Sequence, residues 1–294
     1  MYQLIHSILL ISFLLPSLGL AQRSPKEQTK DTPWTKAQWE QLDALFATDE
    51  PEQVQPGLAF ALLHRGELIY QQTPGYANLE HQIPLNAQSC FDIASLAKQF
   101  TGLSVAILIE EGKLSLQDDV RQYLPEVPDF GHPITIAHLL YHTSGLRDIG
   151  ELHAVGPYLD DLTAKMCLEI VSDQRELNFV PGTENDYSNT GYVLLALIVE
   201  RVSGTSFVDW TKAHVFQPLG MKNSFFNDDP QALIPLRATA YYGSVEEGFS
   251  YPQNNGMALV GSSAVYTNLE DLILWPSGHL DKVQPHAARQ YHVA

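Results

Sequence analysis

Residues 91–126, FDIASLAKQFTGLSVAILIEEGKLSLQDDVRQYLPE, decide how the rest of the chain is read. From Ile93 to Ile109 the run is almost wholly apolar, interrupted by Ser95, Lys98, Gln99, Thr101 and Ser104, and Glu110-Glu111-Gly112 closes it. Such a run predicts a helix buried on most of its surface, and a glycine just past the end suits the C′ position. Ser95-Leu96-Ala97-Lys98 stands at the start of this helix, and the i, i+3 spacing puts the hydroxyl and the amine on one face. Burial disfavours the ammonium, so the amine can take or share the serine proton, and the helix N-terminus offers N–H groups where an oxyanion would form. Taken alone, a Ser-x-x-Lys match arises roughly once by chance in a chain this long, and a capping serine beside a solvated lysine fits it equally well.

On the N-terminal side, GLAFALLH (57–64), the turn Arg65-Gly66 and ELIYQQ (67–72) predict a β-hairpin. Thr35 and Gln38 form a capping-box start for a preceding helix, whose apolar face of Trp39, Leu42, Leu45 and Phe46 should lie on a sheet. On the C-terminal side, helical segments at Ile134–Tyr141, Leu162–Val171, Gly191–Ser203 and Phe207–Val215 alternate with Pro/Gly punctuation. β character returns near Met257–Tyr266, and Thr267-x-x-Glu270 opens a further helix through Trp275. Early strands, a helical middle over about 113–240 and returning strands predict an α/β (α+β) fold: an antiparallel sheet flanked by helices, with a helical domain inserted into it.

Composition bounds the function. The 294 residues carry 17 Lys+Arg against 34 Asp+Glu, a net charge of −17, with 45% hydrophobic residues, which is a globular composition. That charge argues against nucleic acid as a partner and leaves small molecules or peptides. Cys90 and Cys167, the two cysteines, exclude a cystine-rich scaffold and a multi-cysteine zinc fold, and two buried free thiols are expected rather than a disulfide. Residues 4–20 lack Asp, Glu, Lys and Arg, and Gly19 and Ala21 suit signal-peptidase cleavage. A signal peptide over 1–21, a polar linker over 22–34 and a periplasmic or secreted location are therefore expected; an uncleaved stretch would act as a membrane anchor. No Cys follows Ala21, which argues against a bacterial lipoprotein.

Two more constellations bear on chemistry. Tyr187-Ser188-Asn189 follows Pro181-Gly182 and leads into a helix; a tyrosine beside an ammonium can relay a proton, and an asparagine amide can hold both a lysine and a substrate carbonyl. Tyr76-Ala77-Asn78 matches the same Tyr-x-Asn pattern in a strand-turn setting. His138 and His142 are spaced i, i+4 as a zinc pair would be, but Leu139 stands where a metalloprotease carries glutamate, so no metal is expected.

Residues 91–126, ITIAHLLYHTSGL (134–146), PGTENDYSN (181–189), QPLGM (217–221) and GSSAVYTNLEDLILW (261–275), in this order and spacing, resemble the serine β-lactamase and penicillin-binding-protein superfamily. They look most like the branch with class C β-lactamases, D,D-peptidases and related esterases, over about residues 35–275. The resemblance implies a β-lactamase/transpeptidase-like fold, Ser95 as acylated nucleophile, Lys98 as its proton partner, Tyr187 as general base and acid, and Asn189 as a contact for lysine and substrate amide. It also implies that the Ser95 backbone N–H forms half of an oxyanion hole, that His138 and His142 lie in a structural segment, and that no cofactor is needed.

The family's third motif, Lys or His, a small residue, then Gly, has no counterpart after Asn189; Ser277-Gly278-His279 has the wrong order, and 276–294 form an atypical tail without periodicity. A C-terminally truncated member is expected on this ground. The leading expectation is a serine hydrolase acting on an amide, ester or β-lactam carbonyl. The alternatives are a catalytically impaired relative that only binds ligand or partner, and a membrane-anchored interaction protein. Substrate within that set and oligomeric state are not encoded in these motifs.

Overall fold

A computed structural model describes residues 34–46, 54–155, 162–251 and 257–275. The apolar run at 4–20, the signal expected over 1–21, the linker expected over 22–34 apart from its last residue, and the tail at 276–294 lie outside the described residues. Helix α1 (Lys36–Phe46) starts at the anticipated capping box: the Thr35 N–H donates to Gln38 Oε1 at 2.8 Å and the Gln38 N–H returns to Thr35 Oγ1 at 3.4 Å. It packs on the hairpin of β1 (Phe60–His64) and β2 (Glu67–Gln72), whose turn residues Arg65 and Gly66 both hold positive φ, 50° and 81°. Positive φ at both turn positions matches the right-handed twist of the two strands. Trp39 and Phe46 stack around Tyr70, and the Tyr70 hydroxyl donates to Asp43 at 2.8 Å. Leu45, predicted on the same face, is instead 78% exposed. A two-stranded ribbon covers only a narrow stripe of a helix, and Leu45 falls off its edge.

Next come β3 (Tyr76–Asn78) and β4 (Ile83–Pro84), paired with each other, and then β5 (Phe91–Asp92), which runs through a 3₁₀ turn (Ala94–Ala97) into α2 (Lys98–Glu110). Gly112, just past the end of α2, holds φ 70°, as a C′ glycine does. The helical middle comprises α3 (Ile136–Leu140), α4 (Ile149–Val155), the short β6 (Leu162–Thr163), α5 (Ala164–Ser172), α6 (Asn189–Ser203), α7 (Phe207–Thr211), a π turn (Lys212–Phe216) and α8 (Gln217–Leu219). Strand β7 (Phe225–Phe226), the hairpin β8 (Tyr242–Ser244) and β9 (Gly248–Ser250), then β10 (Met257–Ala258), β11 (Val265–Thr267) and α9 (Leu269–Leu272) complete the order. The central antiparallel sheet has the order β5-β11-β7, so strands from either side of the helical middle pair directly. Strand β7 lies within the stretch 113–240 read as helical, because it finds its partner in β11.

Two boundaries differ from expectation. Leu162 and Thr163 pair in parallel with Met257 and Ala258, so α5 begins only at Ala164, capped by Thr163. Thr267 ends β11 and bonds Ser224, which leaves Asn268 to cap α9 by accepting the Asp271 N–H at 2.9 Å. In both places strand pairing sets where the helix starts.

The core joins α2 to α6. Phe100, Val105 and Leu108 meet a helix on which Val193, Leu194, Leu195, Ala196, Ile198 and Val199 are all buried, and Phe100 also packs on Phe216 and Trp275. Cys90 and Cys167 are buried and free, as expected, and burial pushes their thiols up to about 11 and about 12. Among the described residues no single helix is long and apolar enough to cross a membrane. Gly261, at φ 94°, brings the connection between β10 and β11 onto α6: a Cβ there would press on the Tyr192 carbonyl oxygen and lie 2.7 Å from Ala196 Cβ. Gly261→Ala should therefore destabilise the protein by about 2 kcal/mol or more through overpacking and backbone strain. An unchanged urea midpoint would refute that close approach.

Candidate active site

Ser95 precedes helix α2 rather than lying in it. Ile93 donates its N–H to the Val265 carbonyl at 3.0 Å, tying the turn to β11, and the Ala94 N–H donates to Asp92 Oδ1 at 2.9 Å. Ala94 then takes φ 48°, a left-handed conformation that strains a residue with a Cβ, and so sets Ser95 exposed at the tip of the 3₁₀ turn. In a 3₁₀ turn residues i and i+3 eclipse, so the three-residue spacing stacks Lys98 against Ser95 more directly than an α-helix would. The Ser95 side chain makes no helix cap.

Lys98 is buried, 8% exposed, and its Nζ donates to Ser95 Oγ at 3.2 Å, Asn189 Oδ1 at 2.8 Å and the Ser262 carbonyl at 2.9 Å. Three donors meet three acceptors, which satisfies an ammonium completely. The same nitrogen lies 4.7 Å from the centre of the Tyr187 ring and 5.6 Å from that of Tyr192. Burial pulls the Lys98 proton affinity below the ordinary lysine range, opposed by Tyr187 and by the Asp148 carboxylate. Tyr187, half exposed, donates its hydroxyl to Ser95 Oγ at 2.7 Å. All four residues singled out in the sequence, Ser95, Lys98, Tyr187 and Asn189, thus converge on one point. The second Tyr-x-Asn match does not: Tyr76 and Asn78 lie in β3, and the Asn78 amide donates to Thr239 at 3.2 Å.

The Tyr187-Ser188-Asn189 segment is held from behind. Ser188 caps α6, accepting the Gly191 N–H at 3.2 Å, while its own N–H donates to His142 Nδ1 at 3.1 Å. The His142 ring lies 4.7 Å from that of Tyr187 and 5.2 Å from that of Tyr192. Asp148 accepts from the Asn189 N–H and, at 3.2 Å, from Asn189 Nδ2. His138 instead completes a capping box with Thr135, its Nδ1 accepting the Thr135 N–H at 3.2 Å. Because α3 ends at Leu140 and His142 sits beyond it at φ 58°, the two histidines do not share a helix face. Among the described residues no group of three or more His, Cys, Asp and Glu is arranged to hold a metal.

Asp148 had no signal in local spacing, the i, i+4 spacing of His142 pointed to a metal pair rather than to the Ser188 N–H it accepts, and Gly261 and Ser262 entered only as part of a quoted motif. Ser262 and Lys98 are 164 residues apart and Asp148 and Asn189 are 41 apart, and no periodicity links such positions.

A serine, a buried lysine, a tyrosine and an asparagine are thus joined in one hydrogen-bonded Ser–Lys–Tyr–Asn cluster. The Beta-lactamase family model matches residues 37–291, past Trp275, and the chain belongs to that family. It is 39% identical over 188 residues to a penicillin-binding protein of Bacillus subtilis, covering 61% of this chain and 40% of the relative. It is 32% identical over 227 residues to a D-aminopeptidase of Gluconobacter oxydans, covering 75% of this chain and 41% of the relative. The chain therefore spans about two fifths of the length of these curated relatives. The solved octameric penicillin-binding protein homologue from Pyrococcus abyssi superimposes with a TM-score of 0.69 at 28% identity, over 84% of this chain and 56% of that one.

Burial and the nearby Lys98 lower the proton affinity of His142, and burial lowers that of His138. Each folded pKa lies below the unfolded value, so the unfolded chain binds more protons as pH drops from about 6.5, and folding stability falls with acidification through that window. Thermal denaturation should show a lower midpoint at pH 5 than at pH 7. His142→Asn, whose amide oxygen can still accept the Ser188 N–H, should flatten part of that slope; an unaltered slope would count against the assignment.

Proposed function

We propose that the protein is a serine hydrolase that forms an acyl-enzyme on Ser95 with an amide, ester or β-lactam carbonyl. One observation carries this reading: Tyr187 and Lys98, from segments 92 and three residues away, both hydrogen-bond the same exposed Ser95 Oγ. In the acylation step the Ser95 Oγ–carbon bond forms, and the hydroxyl proton passes to a neutral Lys98 amine directly or through the Tyr187 hydroxyl. The proton then goes to the leaving nitrogen or oxygen as its bond to the carbonyl carbon breaks. Water attacks the ester in the second half, delivering its proton by the same route reversed, and Ser95 is regenerated. The Ser95 N–H, at the head of the 3₁₀ turn, supplies one oxyanion donor. Asn189 Nδ2 is already committed to Asp148, so in this reading Asn189 serves Lys98 before it serves substrate.

The aminopeptidase and penicillin-binding relatives favour D-amino-acid amides and peptides as the first substrates to screen, and the acidic chain suits small ligands over polyanions. Export to the periplasm or beyond is proposed from the apolar stretch at 4–20, and processing after Ala21 is read directly from the N-terminal sequence of protein recovered from cells.

Intact mass after incubation with a fluorophosphonate or a penicillin, followed by peptide mapping, tests the proposal. An adduct on the Ser95 peptide is expected, absent from Ser95→Ala. Tyr187→Phe should slow adduct formation roughly 10²- to 10⁴-fold without loss of fold, the range for removing a general acid–base group. Because burial depresses Lys98, the rate should rise with pH along a limb below the ordinary lysine range. A folded wild-type chain that stays unmodified by both reagents overturns the hydrolase reading.

A further inference from the structure

Asp148 is a buried carboxylate, 8% exposed, and among the described residues it takes part in no ion pair. Its acceptor capacity is instead filled by N–H groups. Oδ1 accepts the Gly150 N–H at 2.9 Å and Asn189 Nδ2 at 3.2 Å, and Oδ2 accepts the Asn189 N–H and, at 3.3 Å, the Thr190 N–H. The Asn189 and Thr190 groups are the first donors of α6, orphaned by helix geometry and positive in potential, which compensates a buried negative charge. Gly150 keeps the space: a Cβ there would lie 2.9 Å from Asp148 Oδ1 and 3.7 Å from Asn189 Nδ2.

An asparagine amide presents either end to a neighbour, and what fixes it is the partner on the far side. A carboxylate cannot donate, so Asn189 must turn Nδ2 toward Asp148, and its oxygen is then left facing Lys98 Nζ at 2.8 Å. The groups around that ammonium are Ser95, Tyr187, Tyr192, Asn189, the Ser262 carbonyl and, behind them, His142 and Asp148. Among the described residues, Asp148 is the carboxylate whose charge acts on Lys98.

We propose that Asp148 is a positioning residue for the Ser95 site: it locks the Asn189 amide with its oxygen on Lys98 and, through that amide and its own charge, sets the proton affinity of the Lys98 amine. Asp148→Asn removes the charge and lets the Asn189 amide turn its Nδ2 toward Lys98, where only a neutral amine can accept it. Both changes act in one direction, toward a Lys98 that gives up its proton at lower pH.

The kinetic consequence rests on the hydrolase reading, whereas the titration of Lys98 does not. The test is therefore NMR titration of the full chain carrying ¹³Cε-labelled lysine, with the Lys98 signal assigned by its loss in Lys98→Met. Asp148→Asn should move the Lys98 midpoint toward acid by about one pH unit, as expected for loss of a nearby opposite charge. Gly150→Ala keeps every charge and suits its helix, but crowds the Asp148–Asn189 contact; it should move the midpoint the same way by less, and it answers the question if Asp148→Asn does not fold. A Lys98 midpoint equal to wild type in each folded variant overturns the proposal. In parallel, the rate of Ser95 adduct formation in Asp148→Asn should show the same acid displacement of its rising limb. A wild-type chain with no Ser95 adduct removes the hydrolase reading, while the Lys98 titration still decides the role of Asp148.

Discussion

An ammonium withdrawn from water needs a full set of acceptors, and at Lys98 one comes from the Ser95 hydroxyl a turn away and two from remote parts of the chain, the Asn189 amide at the head of α6 and the Ser262 carbonyl before β11. An unpaired charge in that position would be strongly destabilising. The three segments are therefore bound to one another by the lysine as much as they position it. The apolar contact of α2 with α6 brings the backbones together, and the ammonium then fixes their register.

Two backbone features make that arrangement reachable. Gly261 lets the connection into β11 run against α6 closely enough for the Ser262 carbonyl to meet Lys98, and the Thr101 hydroxyl pins the Gly261 carbonyl at 2.8 Å. The left-handed turn at Ala94 swings Ser95 out of the sheet while Ile93 stays bonded to Val265. Strain at one residue is tolerated because the sheet pairing on one side and the buried helix on the other determine the path of the chain between them.

Behind Ser95, Lys98 and Tyr187 lies a polar layer from the segment between α3 and α4. His142 and Asp148 accept the Ser188, Asn189 and Thr190 N–H groups in succession, so the backbone that carries Tyr187 and Asn189 is held at consecutive residues. In the proposed acyl transfer this rigidity holds the 2.7 Å contact between Tyr187 and Ser95 in place. Tyr187 itself remains half exposed.

Much of this was legible in the amino-acid order. The apolar run at 93–109 specified a buried helix, the Thr35/Gln38 box and Gly112 specified helix ends, Arg65-Gly66 specified the hairpin turn, and ordered motifs singled out Ser95, Lys98, Tyr187 and Asn189. The helix, its ends and the turn are local consequences of periodicity, φ preference and capping, whereas the four site residues stood out through the resemblance of the ordered motifs to a known family. The exposure of Leu45, the strand pairing that displaced helix starts at Leu162 and Thr267, the 3₁₀ setting of Ser95 and the recruitment of Ser262, His142 and Asp148 followed no such rule. Those were decided only when segments far apart in sequence competed for the same hydrogen-bonding groups and the same buried volume, a competition that exists only in the folded chain.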